Sequence, residues 1–173
     1  MLADDEVTPP EKIQTDHNLE SFNSGESVLD DWLRRRAVRN DDTGASRTYV
    51  VCSEGRVVGY YTLAVGAVEA IATPGRIKRN MPDPIPVMVI GRLAVDQKYQ
   101  GRGMGRGLLR DAVLRIIQAA DIIGVRAILV HALTEDAKKF YQYCGFRSSP
   151  VDPMMLMITV ADAVKALTSG KAR

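Results

Sequence analysis

Cysteine is scarce: Cys52 and Cys144 are the only two in 173 residues. Two thiols cannot build a disulfide framework, and neither has a metal-ligand spacing to a histidine or to the other thiol. Both read as small buried or half-buried groups, and no metal is expected. Long apolar runs are missing as well. No stretch approaches the ~20 residues needed to cross a bilayer, which excludes a spanning helix. The first residues, Met1 to Glu6, are acidic where a signal peptide would be basic. A cytoplasmic protein with no membrane contact is expected. No repeat or low-complexity tract occurs. No lysine is followed by Ser or Thr, so a Walker phosphate loop is excluded.

What is present fits one globular domain. Apolar residues make up 46% and charged residues 25%, ordinary values for a packed core with a solvated surface. The net charge of +2 hides a segregation. Residues 1–31 hold nine acids and one Lys; residues 32–110 hold fourteen Lys and Arg and six acids. A basic middle segment suits a polyanionic partner, against the plainer reading of mixed surface charge. Residues 1–10 end in Pro9-Pro10 and read as a mobile acidic lead-in; residues 11–173 read as a single domain.

Periodicity and turn residues order the rest. Lys12–Thr15 reads as a short strand. Ser27 is expected to cap a helix through Asn40, with Val28, Leu29, Trp32, Leu33 and Ala37 on the apolar side and Arg34, Arg35, Arg36 and Arg39 opposite. Thr48–Cys52 and Val57–Val65 read as a hairpin around Ser53-Glu-Gly-Arg56. Three prolines between Asn80 and Pro86 exclude regular structure there. Strands are expected at Val87–Val95, Ala127–Ala132 and Met154–Val160. Helices are expected at Met104–Ala120, Asp136–Cys144, the latter stopped by Gly145, and Asp162–Leu167. The order is α+β: a mostly antiparallel mixed sheet, flanked by helices, around a central βαβ unit.

The turn inside that unit carries the chemistry. Gln100-Gly-Arg-Gly-Met-Gly105 follows an apolar strand and opens a helix. Glycines let backbone N–H groups approach a ligand closely, and a helix start adds unclaimed donors and positive potential. The pair suits a phosphate, with Arg102 and Arg106 as charged supplements. A Rossmann G-x-G-x-x-G is not met, since the last glycine would fall on Arg106 or Leu108. The pattern that remains is [QR]-x-x-G-x-[GA]. A glycine-rich surface turn with no ligand is the bland reading; the strand before it and the helix after it count against that. The pattern resembles the acyl-CoA pyrophosphate loop of the GNAT N-acetyltransferases. That resemblance implies their fold, acetyl-CoA as cosubstrate, and cofactor contacts from Gln100, Gly101, Arg102, Gly103, Met104, Gly105 and Arg106. It also implies that the backbone of Leu93, Ala94 and Val95 pairs with the pantetheine arm, as an added strand would.

Phe140-Tyr-Gln-Tyr-Cys-Gly-Phe146 resembles the family's second CoA motif. There the tyrosine matching Tyr141 protonates the leaving thiolate. Taken alone, Tyr141 reads equally as a packed aromatic, and Tyr143 is its rival on another helix face. No general base stands out. Glu135 and Asp136 are explained by a helix start, Glu69 and Asp83 lack support, and His131 reads as a core histidine. Cys144 offers an acyl-cysteine route, for which packing is the simpler account. A missing base fits an α-amine, whose pKa near ~7.7–8.0 leaves much of it neutral, better than a lysine near ~10.4.

Further segments narrow the resemblance. Phe22-Asn-Ser-Gly25, Gly44-Ala-Ser-Arg-Thr-Tyr-Val-Val51, Asn80–Pro86 and Gly91-Arg-Leu-Ala-Val-Asp96 look like the tRNA-acetylating toxins of bacterial toxin–antitoxin pairs. The likeness runs over nearly all of residues 12–165; Ser24 stands where Cys is frequent and Ile90 where Leu is common. The branch implies an aminoacyl-tRNA substrate, a ribbon-helix-helix antitoxin through which operator DNA is bound, and a homodimer. Phosphate contacts would fall on Arg34, Arg35, Arg36 and Arg39, and on Arg76, Lys78 and Arg79 in their Pro- and Gly-bounded loop, with a solvated charged face as the plainer reading of any one of them. Two other functions stay open: an N-acetyltransferase for a small amine or protein terminus, and a non-catalytic acyl-CoA-binding module.

Overall fold

The computed structural model describes residues 6–168. Its strands are β1 (Glu11–Lys12), β2 (Arg47–Ser53), β3 (Arg56–Val68), β4 (Ile85–Val95), β5 (Ala127–His131), β6 (Arg147–Ser148) and β7 (Met155–Thr159). They form a seven-stranded sheet in the order β1-β2-β3-β4-β5-β7-β6. The helices are α1 (Ser27–Thr43), α2 (Gly75–Lys78), α3 (Met104–Ala120), α4 (Glu135–Tyr143) and α5 (Val160–Thr168). β4 pairs in parallel with β5, Val87 facing Ala127 through Ile90 facing Val130. A parallel pair requires a crossover, and α3 supplies it, so the expected βαβ unit is present. The pairs β1–β2, β2–β3, β5–β7 and β6–β7 are antiparallel.

The chain divides into two compact units, each built from two segments. One comprises the chain through Leu63 with Arg92–Asp111; the other comprises Ala64–Gly91 with the chain from Ala112 onward. In the first, Ile13, Phe22, Leu33, Ala37, Val50, Cys52, Val57, Tyr60 and Ala94 make the core. α1 contributes Leu33 and Ala37, four residues apart on one helix face. Val28, expected on that face, is 64% exposed. In the second unit Val68, Ile77, Ile85, Val87, Ala127, Leu129 and Met157 are packed together.

Local chemistry explains most boundaries. The β2–β3 turn places Glu54 at φ 52 and Gly55 at φ 79, the left-handed pair a tight hairpin needs. Gly44, at φ 81, ends α1 by donating its N–H to the carbonyls of Asn40 and Asp41. The start of α1 differs from expectation. Ser27 is the first helical residue, Glu26 precedes it in extended conformation, and no side chain caps the end. Ser24 anchors the entry instead: its N–H and Oγ both donate to the buried Asp30, Oγ at 2.6 Å. A serine at this position is thereby explained, since its hydroxyl satisfies a carboxylate that burial would otherwise penalise.

Three further differences follow from tertiary context. Ile85 and Pro86 belong to β4, because a proline at the start of a strand forfeits only one donor. Arg76 and Lys78 lie in the short helix α2 rather than in an irregular loop, and β6 adds a two-residue edge strand. Residues 1–5 of the expected lead-in lie outside the described residues. Thr8 is held: its N–H donates to the Cys52 carbonyl at 2.8 Å and its Oγ1 accepts from the Cys52 N–H at 3.0 Å.

Candidate active site

The glycine-rich turn is braced from within. Gln100 Nε2 donates to the carbonyls of Ser24 at 2.9 Å and Val95 at 2.8 Å. Arg102 donates to the Lys98 carbonyl at 2.7 Å and lies 5.0 Å over the Tyr99 ring. These two side chains were expected to face the cofactor. Each gives one nitrogen to the protein's own backbone, which braces the loop's shape. Val95's carbonyl is likewise engaged, which leaves Leu93 and Ala94 as the members of that segment whose carbonyls Gln100 does not occupy.

Gly101 and Gly103 take φ of 79 and 84, a region that L side chains rarely adopt. A Cβ built at either would meet nothing within 4 Å. The space beside the loop is therefore open, and glycine is required by the backbone rather than by crowding. The first bond of α3 runs from the Gly107 N–H to the Gly103 carbonyl at 3.1 Å. The helix itself thus supplies no acceptor for the N–H groups of Met104 and Gly105. Donors at a helix start, with the dipole behind them, suit an anion. Gly59 in β3 lets the helix start come close: a Cβ there would fall 3.0 Å from Met104 Sδ and 3.2 Å from a Leu108 methyl.

In the other unit, Thr134 caps α4 by accepting the Ala137 N–H at 3.1 Å, and Gly145 leaves the helix at φ 102. Capping thus falls to Thr134, while exposed Glu135 and Asp136 supply the acidic first turn. Tyr141 is 6% exposed, edge-on to Phe140 at 5.2 Å and to Phe146 at 5.6 Å. Among the described residues no protein group hydrogen-bonds its hydroxyl. Burial, and secondarily Cys144, push its phenol well above the ordinary tyrosine range, so it carries its proton at any physiological pH. Tyr143 is 70% exposed. His131, read from sequence as a core residue, is exposed at the end of β5. Glu69 is exposed, and Asp83, also exposed, accepts the Ala70 N–H at 3.1 Å.

The basic residues separate into engaged and exposed. Arg34 donates to the Phe22 carbonyl at 3.0 Å and to Asp31 at 3.2 Å. Arg76 makes a two-pronged contact with Asp162, both bonds 2.8 Å, which holds that carboxyl below its usual range. Arg126 then donates to the carbonyls of Arg76 and Ile77 and closes the end of α2. Arg34 and Arg76, both expected at phosphates, thus also hold ion pairs within the fold. Arg35, Arg36, Arg39, Lys78 and Arg79 are exposed.

One described cluster offers metal-ligand atoms: Glu11, His17 and Cys52, within 4.8 Å of one another. Its protons are spoken for. His17 Nδ1 accepts the Gln14 N–H at 2.8 Å, so Nε2 carries the proton and donates to Glu11 at 2.9 Å. Burial first, then Glu11 and Asp16, push the Cys52 thiol up to about 11. The sign is that of a raised acid: its contribution to stability is whole below the unfolded thiol's ~8.5 and is lost as pH climbs through the folded value. Alkylation at pH 8 is accordingly expected to modify Cys144 first and Cys52 only on unfolding. Peptide mapping after partial labelling checks this, and equal labelling of both thiols in folded protein would contradict it.

Comparison with known proteins agrees with the loop. The model of the acetyltransferase (GNAT) domain family matches residues 44–148. A tRNA-acetylating toxin of Mycobacterium tuberculosis (strain ATCC 25618 / H37Rv) is 54% identical over 154 residues, covering 89% of this chain and 93% of that protein. AtaT complexed with acetyl-methionyl-tRNAfMet superposes with a TM-score of 0.85 at 29% identity, covering 94% of this chain and 99% of that one. A tyrosine-to-phenylalanine variant of AtaT, bound to the C-terminus of the antitoxin AtaR and acetyl-CoA, superposes at 0.81 with 28% identity, covering 95% and 99%. The AtaT–AtaR complex bound to DNA superposes at 0.74 with 27% identity, covering 94% and 99%. The chain belongs to the GNAT acetyltransferases, in their tRNA-acetylating toxin branch. It is an N-acetyltransferase.

Proposed function

We propose that this protein moves the acetyl group of acetyl-CoA onto the free α-amine of an aminoacyl-tRNA and so blocks translation, in the cytoplasm. Residues 11–173 act as one catalytic domain, working as a homodimer without a metal. A ribbon-helix-helix antitoxin neutralises it, and operator DNA is bound through that antitoxin. The observation that carries the reading is 54% identity to a tRNA-acetylating toxin across nearly the whole chain, with the glycine loop and Tyr141 in place.

The chemistry needs little beyond positioning. The pyrophosphate rests on the N–H groups opening α3, from about Arg102 to Gly105, and the pantetheine runs along Leu93 and Ala94. Esterification to tRNA removes the amino acid's carboxylate charge and lowers the amine's pKa below the ~7.7–8.0 of a free terminus. A neutral amine then attacks the thioester carbon, the C–S bond breaks, and the thiolate takes the Tyr141 proton. The proton shed by the new amide nitrogen restores the phenol.

The test is incubation with acetyl-CoA and total charged tRNA, then mass spectrometry of the released amino acids. One or a few N-acetylated residues are expected. Free small amines or peptide termini acetylated in place of charged tRNA would instead favour the broader N-acetyltransferase reading. Phosphate contact by Arg35, Arg36 and Arg39 has its own signature. Replacing two of them by Gln is expected to flatten the log–log salt dependence of tRNA binding by roughly two. Acetyl-CoA affinity stays unchanged. A wild-type slope returns these arginines to an ordinary solvated face.

A further inference from the structure

Arg92 is a half-buried guanidinium in β4 with no part in the site described above. Along β4 the side chains alternate, so Arg92 and Ala94 share a face while Leu93 and Val95 take the other. Ala94 packs in the core with Phe22, Leu33 and Tyr60, which puts Arg92 on the α1 side. Its Cζ lies 4.2 Å over the Trp32 ring. Trp32 in turn stacks on Tyr60 at an interplanar angle of 5°, and Tyr60 is fixed by donating its hydroxyl to the Leu29 carbonyl at 2.6 Å. The guanidinium carbon thus sits over a tryptophan ring that is itself stacked on a fixed tyrosine.

Its charge is uncompensated. Among the described residues no carboxylate pairs with Arg92 and no hydrogen bond anchors it. Two acids beside Trp32 in α1 are committed elsewhere, Asp30 to Ser24 and Asp31 to Arg34. Burial accordingly pulls its pKa down. An aromatic face offsets part of that desolvation but accepts none of the five N–H donors. A cation kept in this condition at a cost is poised for an anion that arrives with the substrate. Planar, forked donors fit a phosphate best.

We infer that Arg92, seated on Trp32, binds the phosphate next to the aminoacylated 3′ terminus of the tRNA and thereby delivers the α-amine to the thioester. This rests on the aminoacyl-tRNA reading and adds which phosphate is held and by what. The scale suits it. Arg92 is one residue, about 3.3 Å of strand, from Leu93, where the pantetheine is placed. In the substrate, a single ribose separates the last phosphodiester from the aminoacyl ester. Trp32 is the positioning residue, because its ring lies 4.2 Å beneath the guanidinium carbon.

The experiment uses the aminoacyl group identified in the total-tRNA assay, carried on two minimal acceptors. Aminoacyl-CpA contains the last phosphodiester; aminoacyl-adenosine lacks it. Arg92→Gln is expected to lower kcat/KM on aminoacyl-CpA by about 10- to 100-fold, the range for a lost charged hydrogen-bond pair. On aminoacyl-adenosine it should match the wild type, and acetyl-CoA affinity should be intact in both. Arg92→Lys should recover part of the loss on aminoacyl-CpA, because it keeps the charge and loses the fork. Equal losses on both acceptors would overturn the inference and make Arg92 a structural residue. Wild-type rates on both acceptors would overturn it too, placing the phosphate elsewhere. The parent reading fails separately, in the wild-type enzyme, if neither charged tRNA nor aminoacyl-CpA is acetylated while simple amines are.

Discussion

Tyr141→Phe lowers acetyl transfer by roughly 10²–10⁴-fold, the usual worth of a general acid, with fold and acetyl-CoA affinity retained. The separation is expected from the side chain's setting. The ring's contacts with Phe140 and Phe146 survive the change, and no hydrogen bond of the described fold is lost with the oxygen. A phenol raised by burial is a weaker acid than a free tyrosine, which at first sight argues against donation to a thiolate. The same water-poor surroundings raise the thiolate's proton affinity, so the two stay matched. The sign also predicts the pH profile. A raised phenol keeps its proton through pH 10, so Tyr141 contributes no alkaline loss of rate below that. Tyr143→Phe, at a residue 70% exposed, should keep most of the activity. Single-turnover transfer at saturating acetyl-CoA measures both variants. Near-full activity in Tyr141→Phe, or its loss in Tyr143→Phe, assigns the proton to the wrong residue. In a cell, Tyr141→Phe should convert a growth-arresting protein into a tolerated one.

Gly103→Val comes next in expected effect. At φ 84 a side chain costs about 1–2 kcal/mol, and more when β-branched, so the turn relaxes away from its observed shape. No protein atom lies within 4 Å of the new Cβ, so the fold itself has room for it. The loss therefore falls on the ligand. Two backbone donors to a pyrophosphate, at about 1.5 kcal/mol each, correspond to roughly 100-fold in affinity. Calorimetric titration with acetyl-CoA is the check, alongside a thermal melt to establish folding. Unchanged affinity in a folded Gly103→Val protein would remove the pyrophosphate from this loop.

The features legible in the chain are those set by neighbours in sequence. The β2–β3 turn needed Glu54-Gly55; α3 needed an apolar repeat behind a glycine run; α4 needed Gly145 after it. In each, the conformational preference and the residue that satisfies it lie within a few positions, so the pattern survives any tertiary arrangement. The arginines of α1 show the limit. Four looked alike, yet Arg34 is tied to Phe22 and Asp31 while the other three are exposed.

By itself, then, the sequence determined the α+β order, the glycine-rich turn between β4 and α3 and the aromatic helix with Tyr141, because backbone dihedrals and helix ends are governed by local chemistry. Only the tertiary structure decided the rest. It drew Arg76 to Asp162, 86 residues away, and turned Gln100 onto Ser24, 76 residues back. It left His131 in solvent and laid Arg92 on Trp32. Whether a charge is free or paired depends on what the fold carries to within about 4 Å of it, at which range a partner outweighs water. No local pattern encodes that distance.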